Sequence, residues 1–146
     1  MERRRDRSAL AAQLAVVPAV ALGGGLGSVT RYGVERLWPV TGAEFPWPVP
    51  LINATGCLAM GVLMTLLKER FPGAPKSLGP LLGTGFLGGF TTFSHFADDV
   101  RVLAGNGEPG LAVGDVVLTS FLAIAAVLLG ILGTREVLRG RRPEEA

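Results

Sequence analysis

The sequence has little with which to build a catalytic or metal centre. Among its 146 residues there is one cysteine, Cys57, and one histidine, His95. A single cysteine excludes an intrachain disulfide and a metal cluster made of several thiolates. His95 has no Cys, Asp or Glu at metal-ligand spacing within its apolar run. Its neighbour Ser94 diverges from it by about 100° on a helix, so the two do not form a nucleophile–base pair. We therefore expect that the chain is not an enzyme.

Charge is also scarce, and its distribution is uneven. Charged residues make up 18% of the chain, and the mean hydropathy is +0.43. About 20 helical residues cross the roughly 30 Å hydrocarbon core of a bilayer. The pattern therefore predicts an all-α integral membrane protein with four transmembrane helices, approximately over 9–33, 46–67, 77–104 and 112–134. No charge-free run contains a carboxylate, so we expect no buried acid pair in the spans. The four runs without Asp, Glu, Lys or Arg are Ser8–Thr30, Phe45–Leu67, Ser77–Ala97 and Val116–Thr134.

The basic residues predict one orientation in the membrane. With four spans in a membrane domain over 9–138, the basic tail 1–8, the charged tail 139–146 and the second connection share one side. That side holds eleven of the 14 Lys and Arg residues, and the other side holds Arg31, Arg36 and Arg101. The positive-inside rule then places both termini in the cytoplasm, in a multi-pass protein of the plasma membrane. Basic residues between apolar runs argue against nucleic acid as a partner. A signal peptide cleaved near Ala21 is the alternative for the first run.

The third apolar run has an unusual segment, Gly83–Phe96, with four glycines and adjacent threonines Thr91 and Thr92. Such a composition favours a break in a membrane helix, which frees backbone carbonyls for a partner, water or an ion. Two such breaks that meet on a symmetry axis would offer carbonyl oxygens to a hard cation such as Na⁺. The other interpretation is that the glycines let helices approach closely.

A few side chains in the runs have two interpretations each. Phe93 and Phe96 lie on roughly one helix face, either as packing residues or with positive ring edges toward an anion. Asn53 is either a link between helices or a ligand donor. Arg31 either attracts anions or reaches the headgroups. Uncharged hydroxyl donors such as Ser94 and Ser120, together with Asn53, would solvate a small anion without a tight ion pair.

Three motifs resemble those of the CrcB/Fluc fluoride channels. They are GGLGSVTRY at Gly24–Tyr32, NATG at Asn53–Gly56 and GFLGGFTTFSHF at Gly85–Phe96. The resemblance implies an antiparallel dimer with two narrow pores and passive fluoride export. It also implies a structural, untransported Na⁺ bound by the backbone carbonyls of Gly88 and Thr91. The fluoride pathway would then include Asn53, Phe93, Phe96, Ser94, Ser120 and Arg31.

Two positions depart from the family pattern. His95 replaces a small hydroxyl residue between the last two phenylalanines, where an imidazole would obstruct the pore, titrate it or face away. On the fourth helix Ser120 fits the pattern, but Val116 and Ile124 lie one turn to either side of it. This helix therefore supplies a poorer polar track, and whether this subunit's own pore conducts stays open.

The charge bias bears on the assembly. An antiparallel homodimer needs one sequence to insert both ways, so eleven basic residues against three predict a heterodimer with an oppositely oriented paralogue. The alternatives are an antiparallel transporter of the small multidrug-resistance type and a non-conducting partner subunit. The transporter needs a membrane-embedded acid, which the charge-free runs lack.

Overall fold

Every regular element that the computed structural model describes, over residues 2–40 and 44–140, is a helix. Helix α1 spans Glu2–Leu37, and α2 spans Pro48–Thr65 and continues as a π-helical segment over Leu66–Arg70. The third apolar run begins with a π-helical segment, Pro80–Leu87, and goes on as α3, Gly88–Phe90, and α4, Ser94–Gly105. Helix α5 spans Pro109–Gly140. Of the predicted tail 139–146, only the first two residues lie within the described ranges.

Prolines and one glycine define where the helices begin and end. Pro48, Pro80 and Pro109 each open a helical segment, where the missing N–H of proline leaves no hydrogen bond unmade. Between α4 and α5 the chain turns at Asn106 and Gly107, and Gly107 has φ +83°. That backbone conformation suits glycine, which has no Cβ. The short turn makes α4 and α5 antiparallel neighbours.

Two of the described helices are long and apolar enough to cross a membrane. One is Pro48–Arg70, with 23 residues and a mean hydropathy of 1.7, and the other is Pro109–Gly140, with 32 residues and 2.6. The third run is divided among helical segments, and each of them is shorter than the roughly 20 residues that a helix needs to span the hydrocarbon core. Large apolar side chains such as Leu26, Phe121 and Leu128 are exposed. A chain that turns such side chains outward fits a lipid environment.

Glycines bring the helices into close contact at two crossings. A Cβ on Gly27 of α1 would overlap the carbonyl oxygen of Phe86 in the second π-helical segment. Where α2 crosses α5, a Cβ on Gly61 would overlap the carbonyl of Val127, and one on Gly130 would overlap the carbonyl of Leu58. Within the glycine-rich run, a Cβ on Gly89 would overlap the carbonyl of Gly24. Close approach of helices through glycine is therefore present there too, as one of the two interpretations of that run requires.

One carboxylate is buried just outside the fourth charge-free run. Asp115 lies inside α5, and 0% of its surface is exposed. The charge-free run begins one residue later, at Val116, whereas the helix that contains the run begins at Pro109. The run of uncharged residues thus marked only part of the helix, and the acid at its edge is turned into the protein.

Candidate functional site

The third run changes conformation between Phe90 and Ser94. Thr91 has φ −71° and ψ 159°, an extended conformation, directly after the last residue of α3. The amide of Thr91 still donates to the carbonyl of Leu87, at 3.0 Å. Helical geometry returns at Ser94, the first residue of α4. The backbone around Thr92 therefore needs hydrogen-bond partners from outside its own helix.

Asn53 of α2 supplies those partners. Its Nδ2 donates to the carbonyl oxygen of Thr92 at 2.9 Å, and its Oδ1 accepts from the amide of Thr92 at 2.8 Å. Both residues are buried, with 9% of each exposed. Such a reciprocal pair satisfies a donor and an acceptor that the extended backbone leaves free. Asn53 thus links α2 to the third run, and one of its two N–H hydrogens remains for another acceptor.

Helix α1 holds the neighbouring carbonyl, that of Gly89. Ser28 Oγ donates to it at 3.3 Å, and Arg31 Nε donates to it at 3.4 Å. Both donors come from the GGLGSVTRY motif. The Arg31 side chain is 18% exposed, so its guanidinium lies against the protein. The motifs on α1 and α2 thus meet the third run at the same place.

Two backbone carbonyls at this place lose the donors that a continuous helix would give them. The carbonyl of Gly88 would accept from the amide of Thr92, but that amide donates to Asn53 Oδ1. The carbonyl of Thr91 would accept from the amide of His95, which donates instead to Thr92 Oγ1 at 3.2 Å. Carbonyl oxygens without a hydrogen-bond donor are suitable ligands for a hard cation. The carbonyl oxygens of Gly88 and Thr91, to which the family resemblance assigns Na⁺, are therefore chemically suited to bind such a cation.

The phenylalanines of the motif lie in two pairs. Phe86 and Phe90 are stacked before the interruption, with ring centroids 6.3 Å apart and planes at 3°. Phe93 and Phe96 lie after it, with centroids 5.8 Å apart and planes at 56°. In the second pair the Phe93 side chain is exposed and Phe96 is half-buried. Ser94, between them, is exposed too. The pathway residues assigned to the third run are thus adjacent and accessible from outside the chain.

His95 packs toward α1. Its Nδ1 lies 2.8 Å from Glu35 Oε1 and 3.4 Å from Arg31 Nη1. Arg31 Nη1 also donates to Glu35 Oε1, at 3.4 Å. The imidazole thus completes a three-residue polar cluster that joins the ends of α1 and α4. Sequence reasoning missed Glu35, although its position four residues after Arg31 places the two on one helix face.

A cavity of about 260 Å³ opens beside this cluster. Carboxylates line much of it, from Glu35 on α1 and from Asp98 and Asp99 on α4, and His95 lies among them. Trp38 and Val49 belong to its apolar lining. Asp98 is exposed and receives two hydrogen bonds from Arg101, at 2.8 and 3.0 Å. The mouth of the site is therefore acidic.

On α5 the polar residues that face inward are not the ones chosen from the sequence. Asp115 and Thr119 are buried, and Thr119 Oγ1 donates to Asp115 Oδ1 at 3.0 Å. Val116, Ser120 and Ile124 lie on an exposed face of the chain. The two sets differ by one helical residue, a rotation of about 100°. Among the residues that the structure describes, the polar track on α5 inside the chain thus consists of Asp115 and Thr119.

The chain matches a known family over most of its length. The family model described as CrcB-like protein, Camphor Resistance (CrcB), matches residues 18–131. The fluoride-specific ion channel FluC 1 of Streptomyces coelicolor is 40% identical over 137 residues, covering 94% of this chain and 88% of that protein. FluC 2 of Streptomyces avermitilis is 43% identical over 138 residues, covering 94% and 87%. FluC of Erythrobacter litoralis is 46% identical over 123 residues, covering 80% and 89%. The chain therefore belongs to the CrcB-like family.

Proposed function

We propose that this chain is a subunit of a fluoride-specific ion channel of the plasma membrane, which lets F⁻ leave the cell passively down its gradient. The observation that carries the proposal is the interruption at Thr91–Phe93, which Asn53 holds in place beside the Phe93–Phe96 pair. The relatives that are named fluoride-specific ion channels support the same function, since they are similar over most of the chain.

The pathway residues suit a small anion because they donate without carrying a fixed positive charge. Asn53 retains an N–H hydrogen beyond the one bound to Thr92, and Ser94 and Ser120 add hydroxyl groups. The positive ring edges of Phe93 and Phe96 add further attraction. A buried cation in the path would hold F⁻ too tightly for conduction. Arg31 lies near the end of α1, where Glu35 pairs with its charge at 3.4 Å, so it is not a free cation in the path.

A structural Na⁺ would be held by the carbonyl oxygens of Gly88 and Thr91, together with the same atoms of a second chain. The diverted amides of Thr92 and His95 support this assignment, because they leave these oxygens without helical donors. When bound, the ion supplies positive charge that offsets the carbonyl dipoles at the meeting point of two interruptions. Its role is assembly, and it is not transported.

The assembly in this proposal is an antiparallel dimer, and the basic residues favour a heterodimer. Eleven of the 14 Lys and Arg residues lie on the side of the termini, so this chain inserts with both termini in the cytoplasm. The antiparallel partner is then a paralogue with the opposite bias. The apolar face with Val117, Phe121 and Ile124 is exposed and offers a surface to lipid or to that partner.

Fluoride efflux from liposomes tests the proposal. Purified channel is reconstituted with internal fluoride, and release is followed with a fluoride electrode, once with this chain alone and once with its candidate partner. We expect passive, fluoride-selective release with the partner and little without it. No release from either preparation would refute the channel, and full release from this chain alone would refute the heterodimer. Growth of fluoride-sensitive cells provides the same comparison in vivo.

A second candidate, a proton-coupled antiparallel transporter, is favoured by one observation. Asp115 is a fully buried acid in a helix long and apolar enough to span a membrane, and such acids serve proton coupling in pumps. The liposome assay separates the two functions, because a coupled transporter needs a proton gradient and a channel does not. A third candidate, the non-conducting partner subunit, predicts that an assembled complex conducts only through the other chain's residues.

A further inference from the structure

The carboxyl group of Asp115 is only partly satisfied. Its Oδ1 accepts from Thr119 Oγ1 at 3.0 Å. Its Oδ2 is buried and has no hydrogen-bond partner in the part of the chain that the structure describes. The residue is 0% exposed, so a second chain or a lipid headgroup has no access to this oxygen. Whatever neutralises Asp115 must therefore already lie inside the subunit.

A second carboxyl group faces the same problem. Asp99 Oδ2 is also buried and unpartnered among the described residues. Asp99 on α4 and Asp115 on α5 each lie eight residues from Gly107, in the turn that joins these two packed helices. Asp99 also lines the 260 Å³ cavity, together with Glu35, His95 and Asp98. The two unpartnered oxygens thus belong to acids on two helices that pack against each other, and one of these acids lines the cavity.

The nearby basic groups are engaged elsewhere. Arg31 binds Glu35 and the Gly89 carbonyl, and His95 binds Glu35. Arg101 pairs with Asp98. Over residues 2–40 and 44–140, neither Asp99 nor Asp115 is in a salt bridge. Asp115 is fully buried and Asp99 is half-buried with one buried oxygen. Without a counter-ion, ionisation of both is disfavoured at neutral pH by desolvation and by the mutual repulsion of two charges.

We propose that Asp99 and Asp115 form a proton-binding pair that keeps at least one proton at neutral pH and exchanges it through the Glu35–His95 cavity. A proton suits the pair better than a metal ion, since the described residues contain no group of three or more His, Cys, Asp or Glu side chains placed to hold one. The retained proton gives the pair one O–H donor in place of one negative charge.

Infrared spectroscopy of the reconstituted protein tests the pair without relying on transport. We expect a carbonyl band of a protonated carboxylic acid at neutral pH, which shifts when the chain carries ¹³C-labelled aspartate. The band should disappear in Asp115→Asn and Asp99→Asn and persist in the matched control Asp98→Asn, whose side chain is exposed and paired with Arg101. Absence of the band in the labelled wild-type chain at neutral pH would overturn the proposal, and it does so without any variant that must fold. A band that both Asn variants retain would overturn it too.

A second measurement rests on the proposed function. Loss of the proton places a negative charge near the fluoride pathway, so fluoride release should fall at alkaline pH. The fall is about tenfold if the charges are roughly 10 Å apart at an effective dielectric constant of about 20. Asp115→Asn should remove this pH dependence. If wild-type liposomes release no fluoride at any pH, the proposed function fails while the infrared result stands. If the wild type conducts with no dependence on pH, the pair does not affect the pathway and this part is wrong.

Discussion

The side chain of Asn53 and the backbone of Thr92 exchange two hydrogen bonds, at 2.8 and 2.9 Å, across two separate helical regions. This contact makes Asn53 a link between helices, and its second N–H hydrogen remains free to donate to a ligand. The Asn53 side chain supplies the two hydrogen bonds that the preceding and following turns of a helix would otherwise give the Thr92 backbone.

Removal of the Asn53 amide should destabilise the subunit. Asn53→Ala leaves the amide and carbonyl of Thr92 buried and unpaired, at a cost of about 2–4 kcal/mol. The matched control is Thr55→Val on the same helix, because Thr55 is exposed and bonds only to Leu51 and Ile52 of its own helix. The free energy of unfolding in mixed micelles measures both. Equal losses for the two variants would contradict the role of Asn53.

A methyl group on Gly27 should separate α1 from the third run. Gly27→Ala places a Cβ against the Phe86 carbonyl, so we expect a loss of about 1–3 kcal/mol from overpacking. Gly25→Ala is the control, since nothing lies within 4 Å of its Cβ. The control should be neutral or more stable by up to about 1 kcal/mol, as alanine favours helix. Thermal unfolding measures both variants. If Gly27→Ala is more stable than Gly25→Ala, α1 and the third run are not in close contact at Gly27.

Replacement of Phe93 and Phe96 should slow fluoride release. Leucine at Phe93 or Phe96 keeps the apolar volume but has no positive ring edge. A loss of about 1.4 kcal/mol at the rate-limiting site corresponds to roughly a tenfold lower rate. Phe71→Leu, just after the second helical region, is the control, because Phe71 is an exposed apolar residue outside the third run. The rate of fluoride release from liposomes is measured for all three variants. Unchanged release from both test variants would exclude a ring-edge contribution.

Withdrawal of Na⁺ should weaken the dimer. If Gly88 and Thr91 carbonyls hold the ion between two chains, replacement of Na⁺ by choline leaves those oxygens without a partner at the dimer interface. The cost is about 1–3 kcal/mol for each group that the dimer encloses. The dimer fraction in detergent, measured by size exclusion with light scattering, should fall with falling Na⁺ at constant ionic strength. A dimer that is indifferent to Na⁺ would count against the site.

His95 should not obstruct conduction. Its imidazole lies against Glu35, and 49% of the side chain is exposed. An exposed polar pair of this kind contributes only about 0.2–1 kcal/mol to stability, so the subunit should fold without it. His95→Ser should therefore release fluoride at nearly the wild-type rate. A large gain in release would place the imidazole in the path.

Hydropathy and charge predicted the helical class and the membrane environment, because lipid requires apolar runs and helical backbone whatever the packing. The family resemblance assigned Arg31, Asn53 and residues of the Gly88–Phe96 segment to one site, and Arg31 and Asn53 contact this segment in the structure. The inward face of α5 could not be predicted from the sequence. Ser120 and Thr119 are both hydroxyl residues, and only the rotation of α5 against its neighbours shows that Thr119 is buried. Asp115 was missed for a related reason, since a charge at the edge of an apolar run resembles a loop residue until its burial is known.

The interruption at Thr91–Phe93 also constrains the order in which the chain folds. The Asn53 side chain binds its backbone at Thr92, and the Ser28 and Arg31 side chains bind the Gly89 carbonyl just before it. These side chains are synthesised between 39 and 61 residues before the groups they bind. Alone in lipid, the third run would leave the Thr92 amide and carbonyl without partners, which is unfavourable there. The earlier helices therefore act as an internal template, and the third run settles in the membrane only once α1 and α2 are present to receive it.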